Sequence, residues 1–360
     1  MPAHARKPGW LALVACLLLA LPACLPPKPF DEKAWQKEQA TADPALFHAP
    51  HRQPDGAFYN PWRPQDHSAG DLLYWFASRN ILADAQAADP PVPVQPNDGA
   101  YLQDAGQPPS LTWVGHATFV VQWGGQVVVT DPFFGQRALV VARRAPPAFG
   151  PQALPDGTVV LISHNHYDHL DQESVAALGE RAVFLVPLGL GEMVRGLGAK
   201  RVTELDWWQA VEIGGTRFTF LPAQHWSRRW GQGYNESLWG AFMLERDGLR
   251  VFYGADSGYF PGYREIAKHF GPIEVALLPV GAYEPRWFMH YAHMDIPEAV
   301  EAARDLQPRF LVPTQWGVLK LGDEPASYPV VELKEIAERD PWLAARLCIL
   351  PVGGRLFLDR

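Results

Sequence analysis

The residues best equipped for chemistry lie in one short run, Ser163-His164-Asn165-His166-Tyr167-Asp168-His169-Leu170. It holds three imidazoles and one carboxylate within six residues, directly after the apolar stretch 159–162. Side chains alternate along an extended segment, so His164 and His166 point to the same side and can reach one cation. Asp168 and His169 lie a turn further on and can face a second cation close by. Imidazole nitrogen and carboxylate oxygen are the ligands zinc takes where no thiolate is present. The competing reading is a histidine-rich surface loop. The chain has twelve histidines, and their concentration at a strand end favours metal, because α/β sites gather there.

The surrounding pattern is that of a layered fold. Residues 111–114, 118–123 and 126–130 are β-rich runs, and Gly124-Gly125 between the last two is a hairpin signal. Strand-like runs also occur at 159–163, 182–186, 218–221, 238–244, 251–254, 275–280 and 310–313, with helix-like spacing at 71–79, 172–178, 190–196, 263–270 and 297–306. Hairpins mixed with strand–helix alternation predict an α/β (α+β) layered fold. Residues 88–97 hold four prolines and read as a loop.

With 48 % hydrophobic and 19 % charged residues, the 360-residue chain can build a sizeable core. A net charge of −8 without a Lys/Arg block argues against nucleic acid as partner. The three cysteines, Cys16, Cys24 and Cys348, are placed too unevenly for a disulfide framework or a thiolate zinc site. Cys348, in an apolar run, reads as a buried inert thiol. Arg6 and Lys7 precede an apolar run over 10–21, shorter than the ~20 residues that span a bilayer. The expectation is a secretory signal over 1–23. Leu21-Pro22-Ala23-Cys24 resembles a lipobox, which makes Cys24 the acylated residue of an envelope lipoprotein facing the periplasm. Leu25 is not the aspartate that retains such proteins in the inner membrane, which favours the outer one. A tether is expected over 24–43, an N-terminal extension packing on the main domain over 44–109, and the main domain, which carries the His-rich run, over 110–360.

The His-x-His-x-Asp-His run resembles the signature of the metallo-β-lactamase superfamily. Further runs are similar to N-acylphosphatidylethanolamine-hydrolysing phospholipase D and its bacterial relatives: Trp113-Val114-Gly115-His116-Ala117-Thr118, Glu204-Leu205-Asp206-Trp207-Trp208, Gln224-His225-Trp226, and Gly281-Ala282-Tyr283-Glu284-Pro285-Arg286-Trp287-Phe288-Met289. Residues 58–62 also resemble the family's N-terminal segment. The likeness runs from about residue 51 to about 358. It implies a four-layer αββα sandwich, two zinc ions, and a phosphodiester substrate in a membrane lipid. It places His225 as third ligand of the first metal with His164 and His166, and Asp256 as the bridging carboxylate. Asp131, in Thr130-Asp131-Pro132, would fix a ligand histidine's tautomer from behind. Tyr167 and His293 match substrate-contacting positions, though His293 reads equally as a structural histidine. The family's last ligand is a histidine in a His-Trp-Gly run; here Thr314-Gln315-Trp316-Gly317 puts Gln315 there. A carbonyl oxygen suits harder cations better than zinc, so a second site that is weaker, differently occupied or empty is expected.

The implied reaction is hydrolysis by a metal-bound hydroxide, since zinc lowers the pKa of its water from 15.7 to about 7. Asp168 would orient that water or take its proton. Two alternatives stand beside it: a metal-dependent lactonase or esterase for a small soluble substrate, and a non-catalytic lipoprotein that binds a ligand.

Overall fold

Alternating burial along short strands builds the central layers. In the computed structural model, residues 26, 28–39, 41–65, 68–78 and 89–358 are described; the expected signal segment and the Cys24 lipidation site lie outside them. Strands β1 (Ser110–Gly115), β2 (Thr118–Trp123) and β3 (Gln126–Thr130) form a meander. Gly124 and Gly125, with φ of 53° and 77°, close the turn that pairs Trp123 with Gln126. Positive φ at both central residues is what a two-residue hairpin with the strands' own twist requires. After a small hairpin of β4 (Arg137–Ala138) and β5 (Val141–Ala142), strands β6 (Val159–Leu161), β7 (Val183–Pro187) and β8 (Arg201–Leu205) add in parallel to β3. The second sheet comprises β9 (Ala210–Ile213), β10 (Thr216–Leu221), β11 (Ala241–Arg246), β12 (Leu249–Tyr253), β13 (Ile273–Pro279) and β14 (Pro308–Thr314). The last short strand, β15 (Arg355–Phe357), returns to pair with β1. The orders are β15-β1-β2-β3-β6-β7-β8 and β14-β13-β12-β11-β10-β9.

Trp113, Phe119, Val121, Val128, Val159, Leu161 and Leu185 face the second sheet in one core, with Phe218, Phe220, Tyr253 and Leu277. Their neighbours Val114, Val120, Val129, Val160, Phe184 and Val186 point the other way into a separate core. The first sheet is therefore buried on both faces, as a sheet covered by helices must be. Nine helices are described: α1 (Glu32–Gln39), α2 (Ala69–Ser78), α3 (Gln172–Leu178), α4 (Gly191–Gly196), α5 (Gly262–Phe270), α6 (Arg286–Met289), α7 (Ile296–Leu306), α8 (Tyr328–Ala337) and α9 (Pro341–Ala344). Val175 and Leu178 of α3 and Val194 of α4 complete the outer core of the first sheet. Ile266 and Phe270 of α5 and Ala299 and Ala303 of α7 pack on the second. The layers run helix, sheet, sheet, helix. Among the described residues no helix is long and apolar enough to cross a membrane. Cys348 is a half-buried free thiol.

The stretch expected to be a tether contains a docked helix. Trp35 and Gln39 of α1 are buried, and both donate to Glu298 Oε1, at 2.9 and 2.7 Å. Arg286 Nη2 meets the other Glu298 oxygen at 3.0 Å. The polar composition of 30–43 conceals these two anchors, because their partner lies more than 250 residues away. Segment 44–65 is likewise part of the core: Phe47, Phe58 and Trp62 join it, and Asn60 Nδ2 donates to the His225 carbonyl at 3.1 Å. Replacing Glu298 by alanine should therefore release α1. It strands Trp35, Gln39 and part of Arg286, a loss of about 3 kcal/mol for a broken buried ion pair. Limited proteolysis should then cut within 30–43 faster than in the wild type, at a lower melting temperature; unchanged cleavage would refute the docking.

Candidate metal centre

Six of the strands that reach one edge of the sandwich lead into chemically active side chains. Strand β6 runs into the His164–His169 loop, β3 into Asp131, β10 toward His225, β12 toward Asp256, β14 into Gln315, and β1 into His116. The edge is the carboxyl end of the parallel strands in both sheets, where open α/β sheets hold their ligands. Backbone strain concentrates there. His116, Asp131, Ala255, Ala282 and Gln315 all have positive φ, of 57°, 30°, 50°, 66° and 65°. Such residues cost on the order of 1–3 kcal/mol each and persist where the surroundings enforce them.

Three imidazole nitrogens converge at the centre. His166 Nδ1 lies 2.9 Å from His164 Nε2 and 3.2 Å from His225 Nε2. Asp256 Oδ2 completes the group, 3.6 Å from His164 Nε2 and 3.5 Å from His225 Nε2. Burial pushes the pKa of all three rings down, His166 to about 4 and the other two well below the usual range. Close imidazole neighbours add to the shift for His164 and His225. The rings are neutral at pH 7 and carry lone pairs. The tautomers of two of them are set from behind: His225 Nδ1 donates to the Ala292 carbonyl at 3.1 Å. His164 Nδ1 donates to Ser163 Oγ at 2.8 Å, and Ser163 Oγ passes its own hydrogen to Asp131 Oδ2 at 2.5 Å. Three inward lone pairs beside a carboxylate fit a divalent cation.

A second group lies alongside. His169 Nε2 is 3.3 Å from Asp168 Oδ2 and 3.0 Å from Asp256 Oδ1, yet forms no hydrogen bond with either. Asp256 thus turns one oxygen to each group. His169 Nδ1 donates to Asp131 Oδ2 at 2.6 Å. Burial opposes charge on Asp168 and Asp256, but the histidines around them outweigh it and hold both carboxyls well below their usual range. His169 shows the converse balance: burial is outweighed by Asp256, Asp168 and Asp131, and its pKa is held well above that of a free ring.

The remaining candidates take different places. His293 borders the cavity beside His225, with ring centroids 5.3 Å apart, and its Nδ1 is buried without a partner. Tyr167 is turned outward: its hydroxyl accepts from the Trp230 N–H at 3.1 Å, and Arg229 lies 4.2 Å over its ring. Gln315 Nε2 donates to the Ala255 carbonyl at 3.2 Å and to Asp256 Oδ1 at 2.5 Å. The site also contains residues to which sequence reasoning gave no role. Tyr253 donates to Asp131 at 2.5 Å, Arg229 Nη1 braces the metal loop through the Asn165 and Leu170 carbonyls at 2.9 and 2.7 Å, and His116 Nε2 meets Asp168 Oδ2 at 3.0 Å. Only His116 carried a sequence signal, as part of the Gly-His-Ala-Thr run.

A cavity of about 220 Å³ opens over both groups. Its lining combines the polar His116, His166, Asp168, Asp256, His293 and Gln315 with the apolar Leu72, Trp75, Trp226, Phe288, Leu319 and Leu321, and Lys320 and Glu324 also border it.

Residues 126–316 match the family model described as a beta-lactamase superfamily domain. The chain belongs to the metallo-β-lactamase superfamily. An uncharacterized protein of Mycobacterium tuberculosis is 35 % identical over 79 % of this chain and 79 % of its own length. The N-acyl-phosphatidylethanolamine-hydrolyzing phospholipase D 1 of Caenorhabditis elegans is 35 % identical over 63 % of this chain and 69 % of its own length. Among solved structures, Igni18, a metallo hydrolase from Ignicoccus hospitalis, superimposes with a TM-score of 0.54 at 20 % identity, over 71 % of this chain and 100 % of that one. With the converging ligand groups, these relationships make the protein a metal-dependent hydrolase on the αββα fold.

Proposed function

We propose that this enzyme is a zinc-dependent phosphodiesterase that hydrolyses a membrane phospholipid of the N-acylphosphatidylethanolamine class in the manner of a phospholipase D. The observation that carries the reading is the mixed lining of the cavity, where candidate cation ligands such as His166, Asp168 and Asp256 stand beside leucine and aromatic side chains. A phospholipid has that same division, a charged phosphodiester next to acyl chains. The activity for which the C. elegans relative is named supports the same substrate class.

His164, His166, His225 and Asp256 would hold one cation and Asp168 and His169 would face a second, and such cations would supply Lewis acidity and a nucleophile at neutral pH. The protein's own part is positioning. Asp168, ionised and with its Oδ2 fixed between His116 and His169, orients the attacking water and accepts its hydrogen bond. His293, kept neutral by burial, donates from its ring to a phosphoryl oxygen. The apolar side chains of the lining seat the acyl chains and exclude bulk water from the phosphorus. Acylation of Cys24 would keep the cavity beside its substrate, at the periplasmic face of the envelope.

The test uses the full chain in detergent, loaded with zinc, and mixed micelles of N-acylphosphatidylethanolamine, with His164→Ala as control. Mass spectrometry should find phosphatidic acid and N-acylethanolamine with the wild type only. Zinc-loaded protein that releases neither, but opens a small lactone, would replace this reading with the soluble-ester one.

A further inference from the structure

Gln315 stands where the resemblance implies a histidine, and the geometry around it shows what the substitution does. Its amide faces two acceptors, the Ala255 carbonyl at 3.2 Å and Asp256 Oδ1 at 2.5 Å. Rotating the amide would set its oxygen against both, so the network fixes the NH₂ inward. That group has no lone pair to offer a cation. Beside it, an imidazole arrives from the other sheet. The Gln315 N–H donates to the His116 carbonyl at 3.3 Å, and the same carbonyl accepts from Trp113 Nε1 at 2.9 Å. Both residues have left-handed backbones, which turn the two strand ends toward one point. His116 Nε2 then lies 3.0 Å from Asp168 Oδ2. One ligand atom from each of His116, Asp168 and His169 falls within 4.8 Å of the others.

We propose that His116 supplies the nitrogen ligand of the second cation in place of residue 315, and that Gln315 acts as a clamp on the bridging carboxylate. The proposal rests on the reading of this edge as a metal centre. The second set is then His116 Nε2, His169 Nε2, Asp168 Oδ2 and Asp256 Oδ1, two imidazoles and two carboxylates, which suits zinc, iron or manganese. Without a cation, His116 Nε2 donates its hydrogen to Asp168. The ring is neutral and carries one hydrogen, so binding gives the Nε2 proton up to solvent while Nδ1 takes one back, and the Nε2 lone pair becomes a ligand. No donor is aimed at Nδ1, so the ring is not locked in the Nε2–H tautomer, and the unpaired Nδ1 hydrogen is a cost that the cation bond has to exceed. Gln315 meanwhile keeps Asp256 Oδ1 turned to the second group while Oδ2 faces the first.

The test is a metal count on the full chain, stripped by chelation, dialysed against zinc and analysed by plasma mass spectrometry, with circular dichroism as the control for folding. His116→Asn is the chosen variant, because asparagine tolerates a left-handed backbone and can still donate to Asp168. The wild type should bind two zinc ions, H116N one, and Q315A two, the second held ~10–100-fold more weakly, as when a group orienting a ligand is lost. The cobalt form of H116N should lose the absorption band of one of the two sites. A count of two in H116N overturns the proposal and leaves His116 as a hydrogen-bonding partner of Asp168. A count of one in the wild type that rises to two in Q315H also overturns it. No zinc in the wild type would overturn the metal-centre reading itself.

Discussion

His166→Ala should reduce hydrolysis of a diester probe such as bis(p-nitrophenyl) phosphate by roughly 10³-fold or more and remove one zinc ion per chain. His166 Nδ1 sits between His164 Nε2 and His225 Nε2, so it is the central nitrogen of the first group. Without it, two imidazoles and one oxygen of a shared carboxylate remain. A catalytic cation contributes several kcal/mol of charge stabilisation, and about 4 kcal/mol is a factor of roughly 10³. The fold should survive. The His166 ring packs against Trp226 in the cavity lining, 4.4 Å between centroids, and is not in either large core. The melting temperature of the metal-free variant should therefore match that of metal-free wild type. If turnover persisted with one zinc lost, the chemistry would have to reside wholly in the second group.

The metal loop was legible because four of the candidate ligands, His164, His166, Asp168 and His169, sit on a single segment whose alternation is local. What lay beyond was legible only where burial left a pattern. Strands β2 and β3 stand out because a glycine pair separates two β-rich runs. The run at 238–244 reads as one strand, yet β11 begins only at Ala241. Leu238, Trp239 and Gly240 are equally apolar and buried, but they turn toward the site, with the Gly240 N–H on the Ser163 carbonyl at 3.1 Å. An apolar run marks burial and does not separate strand from buried coil. Strands β8 and β9 escaped notice because β9 lies at a sheet edge and both are largely half-exposed, without a continuous apolar stretch. Strand β15 is three residues long and exists by pairing with β1. The site follows the same logic. His116 lies 52 residues from Asp168, and only the registers of β1, β2, β3 and β6 carry it to the metal loop. Tyr253 had no signal at all, since an aromatic residue in a buried strand ordinarily reads as core.

The largest expected loss of stability comes from Asp131→Ala. Its carboxylate is fully buried and accepts four hydrogen bonds. Oδ1 takes the Ser163 N–H at 2.7 Å, and Oδ2 takes Ser163 Oγ at 2.5 Å, Tyr253 at 2.5 Å and His169 Nδ1 at 2.6 Å. Alanine leaves all four donors buried without an acceptor. At about 1–3 kcal/mol for each unsatisfied group, with non-additive losses, the net should be roughly 4–5 kcal/mol. Asparagine separates charge from shape. Both oxygens accept, so either orientation of an amide sets its NH₂ against at least one donor. Asp131→Asn should therefore fold, melt below the wild type, and bind zinc ~10–100-fold more weakly, the usual consequence of losing the group that orients a ligand histidine. The effect should reach both cations, because Asp131 holds His169 directly and His164 through Ser163. Denaturant unfolding and zinc titration of the two variants measure these losses. Wild-type affinity in Asp131→Asn would mean that packing of the loop, braced by Arg229, suffices to set both tautomers without the carboxylate.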